Sequence, residues 1–142
     1  MKIIKKRIPI FTAIPDNIIM IRERNTYLSD FGLSKPTDKQ ESSDQVYGVL
    51  PYLASEVLYR EPYTLASDIY SFGVIITELS SGLPPFHNRK HDMTLALDIC
   101  NGLRPEFGKG TPEFFKKLAY KCMDAIPIQR PMINDLRAIW VF

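Results

Sequence analysis

Cysteine is scarce in this 142-residue chain: Cys100 and Cys122 are the two present, and they form no C-x-x-C pair. That excludes a disulfide framework and a cluster of thiolate metal ligands. Both fall on segments of helical pattern, where buried, reduced thiols are expected, which points to an intracellular, cytoplasmic protein. A surplus of one charge is also lacking. Eighteen basic against 16 acidic side chains, a net charge of +2, give no pull towards nucleic acid or an anionic membrane. No apolar run approaches the ~20 residues that a membrane helix needs, and neither an internal repeat nor a low-complexity segment occurs. Lys2, Lys5, Lys6 and Arg7 precede the apolar residues 8–14, but Pro9 and Pro15 break that run and no small-x-small site follows. Residues 1–15 therefore read as a basic leader and not as a secretory signal. What remains is ordinary for one globular domain with its own core: 45% hydrophobic and 24% charged residues.

The most ordered pattern runs from Ser67 to Ser80. Leu65, Ile69, Phe72, Ile76 and Leu79 form one helical stripe, and Tyr70, Val74 and Ile75 cover most of the opposite face. A helix that is apolar nearly all round belongs in the interior. Ser67 is expected to cap it, and Gly82 with Pro84 and Pro85 to stop it. Asp68 sits badly with burial. The dipole favours a carboxylate at a helix start, but a buried one needs donors, so Asp68 is expected to hold an irregular backbone segment in place.

Upstream, residues 18–21 and 26–29 read as two short strands around a polar turn at 22–25. The hairpin this implies would bring its two ends together, with Asn17 entering and Asp30 leaving, thirteen positions apart in sequence. An amide oxygen and a carboxylate converging there could hold a hard cation such as Mg2+, although Asn and Asp at strand ends are also plain turn formers. Residues 34–45 are polar and aperiodic, the pattern of a mobile loop. Thr37, Ser42, Ser43 and Tyr47 are candidate phosphorylation positions there, and equally the hydroxyls of an exposed linker.

The rest is helical. A short turn is expected up to Leu58, then a Pro-rich loop at 83–89, and a helix at about 92–101 with Met93, Ala96, Leu97 and Cys100 on one face. Another helix is capped by Thr111 with Pro112 first, striped by Phe115, Leu118, Ala119 and Cys122. The last spans about 132–139. Gly108-Lys109-Gly110 is a bare G-x-G ahead of a helix and reads as a turn.

Four stretches in order then resemble the large lobe of a eukaryotic protein kinase domain. Asp30-Phe31-Gly32 matches the metal-binding DFG motif. Residues 48–56 are similar to the substrate-binding loop that ends in Ala-Pro-Glu. Ser67-Asp68-Ile69-Tyr70-Ser71-Phe72-Gly73 resembles the start of the family's buried central helix, and residues 122–131 its Cys-Trp-x-x-x-Pro-x-x-Arg-Pro stretch. The likeness runs from about 17 to 140 and is greatest to the tyrosine-kinase-like group. It implies a mainly α fold, the kinase-like C-terminal lobe with a small β-hairpin before DFG and without the small lobe, over residues 16–142. It further implies ATP and Mg2+ as cofactors and protein substrates or signalling partners. Asp30 and Asn17 would hold metal, and Phe31 and Gly32 would serve the nucleotide site. Glu56 would pair with Arg130, and Asp68 would brace the catalytic loop.

The departures are as informative. Counting back from Asn17, the family's His-Arg-Asp falls on Ile10, Phe11 and Thr12. A threonine cannot take a substrate's proton near neutral pH. The family's phosphate-steadying Lys falls on Ile14, and no Gly-rich phosphate loop or Val-Ala-Ile-Lys strand is present. Val49, Ser55 and Met123 replace the usual Thr, Pro and Trp. Two readings follow. Either this is a piece of a kinase, transferring phosphate to Ser/Thr or Tyr in the intact parent and inactive alone, or it is a pseudokinase-like scaffold. An unrelated helical interaction module is a remote third.

Overall fold

The computed structural model describes residues 18–21, 25–28 and 49–139. The expectations placed on Thr12, Asn17, Asp30, Phe31, Gly32, Thr37, Ser42, Ser43 and Tyr47 lie outside those residues. Strands β1 (Ile18–Ile21) and β2 (Asn25–Leu28) form an antiparallel hairpin in which Ile18 pairs with Leu28 and Ile21 with Asn25. The register starts β2 one residue earlier than the polar pattern suggested.

Between residues 50 and 139 the chain is helix, turn or loop. A 3₁₀ turn at Leu50–Tyr52 leads into α1 (Ser55–Leu58), followed by α2 (Leu65–Ser81), α3 (Met93–Cys100), α4 (Glu113–Cys122), a second 3₁₀ turn at Pro127–Gln129 and α5 (Ile133–Ile139). The organising element is α2, 17 residues and about 25 Å long. Its cap differs from the sequence reading. Thr64 is the N-cap, its hydroxyl accepting from the Ser67 amide, while Ser67, three positions on, accepts from the Thr64 amide. This reciprocal pair satisfies two free donors of the first turn, and Ser67 serves the box from the inside. At the other end Gly82 adopts φ +69° and its amide donates to Glu78 O, a left-handed stop that glycine takes without steric cost.

The middle of α2 is buried: Ile69, Tyr70, Val74, Ile75 and Ile76, with Ser67, Ser71 and Thr77. Their hydroxyls are not wasted there, since Thr77 Oγ1 donates to Val74 O and Ser71 Oγ to Tyr52 O. Leu65 and Leu79, the two ends of the expected stripe, are exposed. The first 3₁₀ turn, α4 and the second 3₁₀ turn pack on α2, while the side chains of Leu65 and Leu79 stay in solvent. On one side α4 lies so close that a Cβ added at Gly73 would meet Met123 Cγ at 2.7 Å and Ala119 O at 2.9 Å. Glycine there sets the distance between the two helices. Met123, at the position where the resemblance expects Trp, fills that contact and is almost fully buried.

Two more expectations change. The buried face of α3 is Leu95, Ala96 and Ile99, docked towards α1 and the first 3₁₀ turn, while Met93 and Leu97 face solvent. Periodicity found the helix but not its rotation, because apolar residues lie on both sides and docking selects one of them. Thr111 does not cap α4. Its hydroxyl donates to Gly108 O at 2.7 Å, and Pro112 takes the N-cap position without a side-chain bond. In α4 the expected Leu118, Ala119 and Cys122 are buried and Phe115 is half-buried; in α5 Leu136 is buried, whereas Ile133, another apolar position of that helix, is exposed.

Candidate functional site

The described part of the candidate site is the segment 49–58 and what holds it. Pro51 opens the 3₁₀ turn, where its fixed φ suits a first helical position and its missing N–H costs nothing. Leu53 and Ala54 are extended, and α1 follows with Glu56 in its first turn, where the helix dipole favours a carboxylate. Residues 51–55 are all buried. Two bonds tie this stretch to α2: Ser71 Oγ donates to Tyr52 O at 2.7 Å, and the Tyr52 hydroxyl donates to the Glu78 carboxylate. The loop is thus held along a rigid helix over two turns, at backbone and side chain alike.

Its far end is fixed by a buried charge pair. Arg130 Nη1 and Nη2 donate to Glu56 Oε1 and Oε2 at 2.6 and 2.8 Å, a fork-to-fork contact between side chains only 1% and 14% exposed. Two of its three remaining donors are used as well, Nη1 to Ala66 O and Nε to Asp124 O, both at 2.8 Å. Ser67 Oγ donates to Glu56 Oε1 at 3.2 Å. Arginine can satisfy this many acceptors in one plane, which lysine cannot. Burial pushes the Glu56 carboxyl up, but the Arg130 guanidinium, the backbone amide of Glu56 and the Ser67 hydroxyl outweigh it and hold it below the ordinary value of 4.5.

Beneath the pair lies Tyr70, with the guanidinium carbons of Arg130 and Arg104 each 5.1 Å from its ring centroid. That is the separation of a cation–π contact. Burial pushes the Tyr70 phenol up to about 12, against the opposing pull of both arginines, so the ring stays neutral and electron-rich. Arg104 in turn donates to Met123 O at 2.8 Å, Ile99 O at 3.0 Å and Leu103 O at 2.7 Å, joining the segment after α3 to the end of α4. The result is a clamp: Glu56 and Arg130, 74 residues apart in sequence, meet over one aromatic ring. The Glu56 carboxyl, held low, and the Tyr70 phenol, pushed up, both lie away from neutral pH. Its chemistry is therefore positional, fixing the backbone of residues 50–58.

Of the residues singled out from sequence, Glu56 and Arg130 are brought together. Asp68 lies half-buried in the first turn of α2, and the segment it was expected to brace is outside the described residues. Asn17 adjoins the β1 residue Ile18, whose partner is Leu28, two positions before Asp30. Sequence reasoning missed Tyr52, Glu78, Tyr70 and Arg104. A lone arginine after Gly102 and a tyrosine inside an apolar stripe carry no sequence signal of a shared site. Among the described residues no cluster of His, Cys, Asp and Glu could hold a metal. No helix among them is long and apolar enough to cross a membrane.

The family model for the protein kinase domain matches residues 14–141. A probable serine/threonine-protein kinase of Dictyostelium discoideum is 33% identical over 121 residues, covering 84% of this chain and 7% of its own length. The serine/threonine-protein kinase VIK of Arabidopsis thaliana is 35% identical over 131 residues, 86% of this chain and 30% of its own. A protein kinase and PP2C-like domain-containing protein of the same plant is 30% identical over 166 residues, 89% and 25%. The chain thus spans between 7% and 30% of the length of these relatives.

Proposed function

The chain belongs to the protein kinase family, and we propose that it is the large-lobe part of an ATP-dependent protein phosphotransferase, inactive as these 142 residues alone. The observation that carries this reading is the Glu56–Arg130 clamp. It fixes the 50–58 segment, the stretch that resembles the family's substrate loop, onto α2 and the second 3₁₀ turn. The intact parent would phosphorylate Ser or Thr of protein substrates, the activity for which two of the relatives are named. We assign the parent to the tyrosine-kinase-like group and to the cytoplasm.

Mg2+ and ATP are the expected cofactors, and the donor set suits them. A carboxylate and an amide oxygen, from Asp30 and Asn17, are hard ligands of the kind Mg2+ takes while keeping several waters. The metal, when bound, supplies charge neutralisation at the phosphate oxygens. The residues of this chain bind and orient. Asp30 and Asn17 would hold the metal, Phe31 and Gly32 would serve the nucleotide side, Asp68 would brace the catalytic loop, and the clamped loop would present substrate. Residues 1–15 are a basic leader and 16–142 the kinase part. Thr37, Ser42, Ser43 and Tyr47 are the positions we propose for regulatory phosphorylation.

A second reading, a pseudokinase-like scaffold, is favoured by one specific feature. Thr12 stands where the family's proton-accepting Asp is expected. Two measurements separate the possibilities. Labelled ATP and a general substrate such as casein are expected to give no phosphate incorporation with this chain, and incorporation that is lost in Asp30→Ala would refute that. A rise in melting temperature that requires both ATP and Mg2+, and disappears in Asn17→Ala and Asp30→Ala, supports the enzyme-derived site. No rise at saturating nucleotide supports the scaffold.

A further inference from the structure

Of the asparagines Asn17, Asn25, Asn88, Asn101 and Asn134, only Asn101 is followed by glycine. The others precede Ile, Thr, Arg and Asp, whose side chains shield the next backbone nitrogen. A carboxamide carbon can be attacked by that nitrogen, and glycine, having no Cβ, leaves it open. Asn101 is the C-cap of α3, and Gly102 follows at φ +103°. Both are exposed, a Cβ at Gly102 would meet no atom within 4 Å, and the Asn101 carboxamide makes no hydrogen bond among the described residues. Electrophile and nucleophile are adjacent, with room to react.

The helix cap holds the reaction back. The Gly102 amide donates to Ile99 O at 3.0 Å and the Leu103 amide to Asp98 O at 2.8 Å, the paired bonds of a left-handed helix stop. Arg104 adds a third donor there, Nη1 to Ile99 O at 3.0 Å, from its place 5.1 Å from the Tyr70 ring centroid. While these bonds stand the Gly102 amide keeps its proton, and attack requires its loss. We propose that Asn101 is a site of spontaneous covalent modification whose rate is set by the Arg104 side of the clamp. When the cap opens, the Gly102 amide gives its proton to solvent and its nitrogen bonds to Cγ of Asn101. The Cγ–Nδ2 bond breaks and ammonia leaves, giving a cyclic imide. Water then opens the ring, at Cγ to give Asp or at the main-chain carbonyl to give isoaspartate. The sum is uptake of one water and loss of one ammonia, with no change of oxidation state. Isoaspartate inserts an extra backbone carbon between Cys100 and Gly102 and sets a negative charge at a helix carboxyl end, where the dipole disfavours it. It moves Leu103 off Asp98 O and Arg104 off Tyr70, so modification loosens the contacts that guarded the site. The reaction is independent of phosphoryl transfer.

The test incubates the full 142-residue chain at pH 8 under reducing conditions, beside the free peptide of residues 98–104. Peptide masses read the replacement of NH by O at each asparagine, and an isoaspartyl methyltransferase with labelled S-adenosylmethionine counts isoaspartate. Conversion at Asn101 is expected to outrun that at Asn88 and Asn134 and to be about 30-fold slower than in the peptide, the protection of two cap hydrogen bonds. Arg104→Met removes the third bond and should speed it about fivefold. Gly73→Ala, which lowers overall stability away from this cap, should leave the rate unchanged, and Asn101→Gln, one methylene longer, should abolish it. Asn101 intact after about 30 peptide half-lives, or a rate equal to the peptide's, would overturn the proposal. So would an unchanged rate in Arg104→Met, or equal acceleration in Arg104→Met and Gly73→Ala, since the cap would then not be the guard.

Discussion

Replacing Arg130 by Met removes the guanidinium and keeps much of the volume. The Glu56 carboxylate is then left 14% exposed, with the Ser67 hydroxyl as the one remaining side-chain donor to it among the described residues. Asp124 O loses its donor at the same stroke, and Ala66 O, inside α2, loses its second one. Breaking a buried pair from one side costs about 3–5 kcal/mol, and the orphaned Asp124 carbonyl adds about 1–3. A loss of about 5 kcal/mol or more is expected, a large share of the ~5–15 kcal/mol that holds a domain together. At about 2–4 °C per kcal/mol for a chain of this size, the melting temperature should fall by about 10–20 °C. Glu56→Gln keeps the shape and one acceptor, and leaves the two backbone bonds of Arg130 intact. It should cost about 2–3 kcal/mol, the worth of a charge-assisted bond. The double variant Glu56→Leu/Arg130→Met should lose less than the two single changes added together, because no charge is left stranded. Thermal melts of the single and double variants measure all three. A fall of less than about 3 °C for Arg130→Met, or a larger loss in Glu56→Gln than in Arg130→Met, would refute the reasoning.

The pH dependence has a definite sign. The Glu56 carboxyl is held below 4.5 in the folded chain, so its contribution is complete above that value and drains away as the pH falls through the lower folded pKa. Acid titration of stability in Glu56→Gln should accordingly be flatter below about pH 4.5 than in the unaltered chain. Gly73→Ala should destabilise by about 1–3 kcal/mol through overpacking, since its Cβ has a backbone oxygen at 2.9 Å; denaturant midpoints test this. Gly82→Ala meets open space and has only its φ of +69° to overcome, so about 1 kcal/mol is expected. Burial raises the Cys122 thiol to about 11, and its side chain is inaccessible. At pH 8 a thiol reagent should label Cys122 only at the rate of unfolding. Labelling in the native state at the rate of a free thiol would contradict its burial.

Much of the fold was legible along the chain because its signals are local. The stop at Gly82, the Pro-rich loop and the helices around Leu118 and Leu136 follow from propensity, capping and apolar spacing. Local signals failed where two local solutions were equally good. Thr64 and Ser67 can each cap α2, and both take part. Apolar residues lie on two sides of α3, and only its docking towards α1 decides that Leu95 and Ile99 go inside while Met93 and Leu97 stay out. Glu56 and Arg130 were marked as partners through a family resemblance, not through anything local. The aromatic ring beneath them and the second arginine beside it carried no mark at all.

Residue order alone, then, fixed the kinds of element, their approximate ends and the family to which the chain belongs, since backbone propensity and motif spacing are properties of neighbours in sequence. Only the tertiary structure decided which faces are buried, how near α4 comes to α2 at Gly73, and that Arg104 and Arg130 share Tyr70. Those are contacts between residues far apart in the chain. Packing selects them by excluding water from the whole set at once, and no single stretch contains that information.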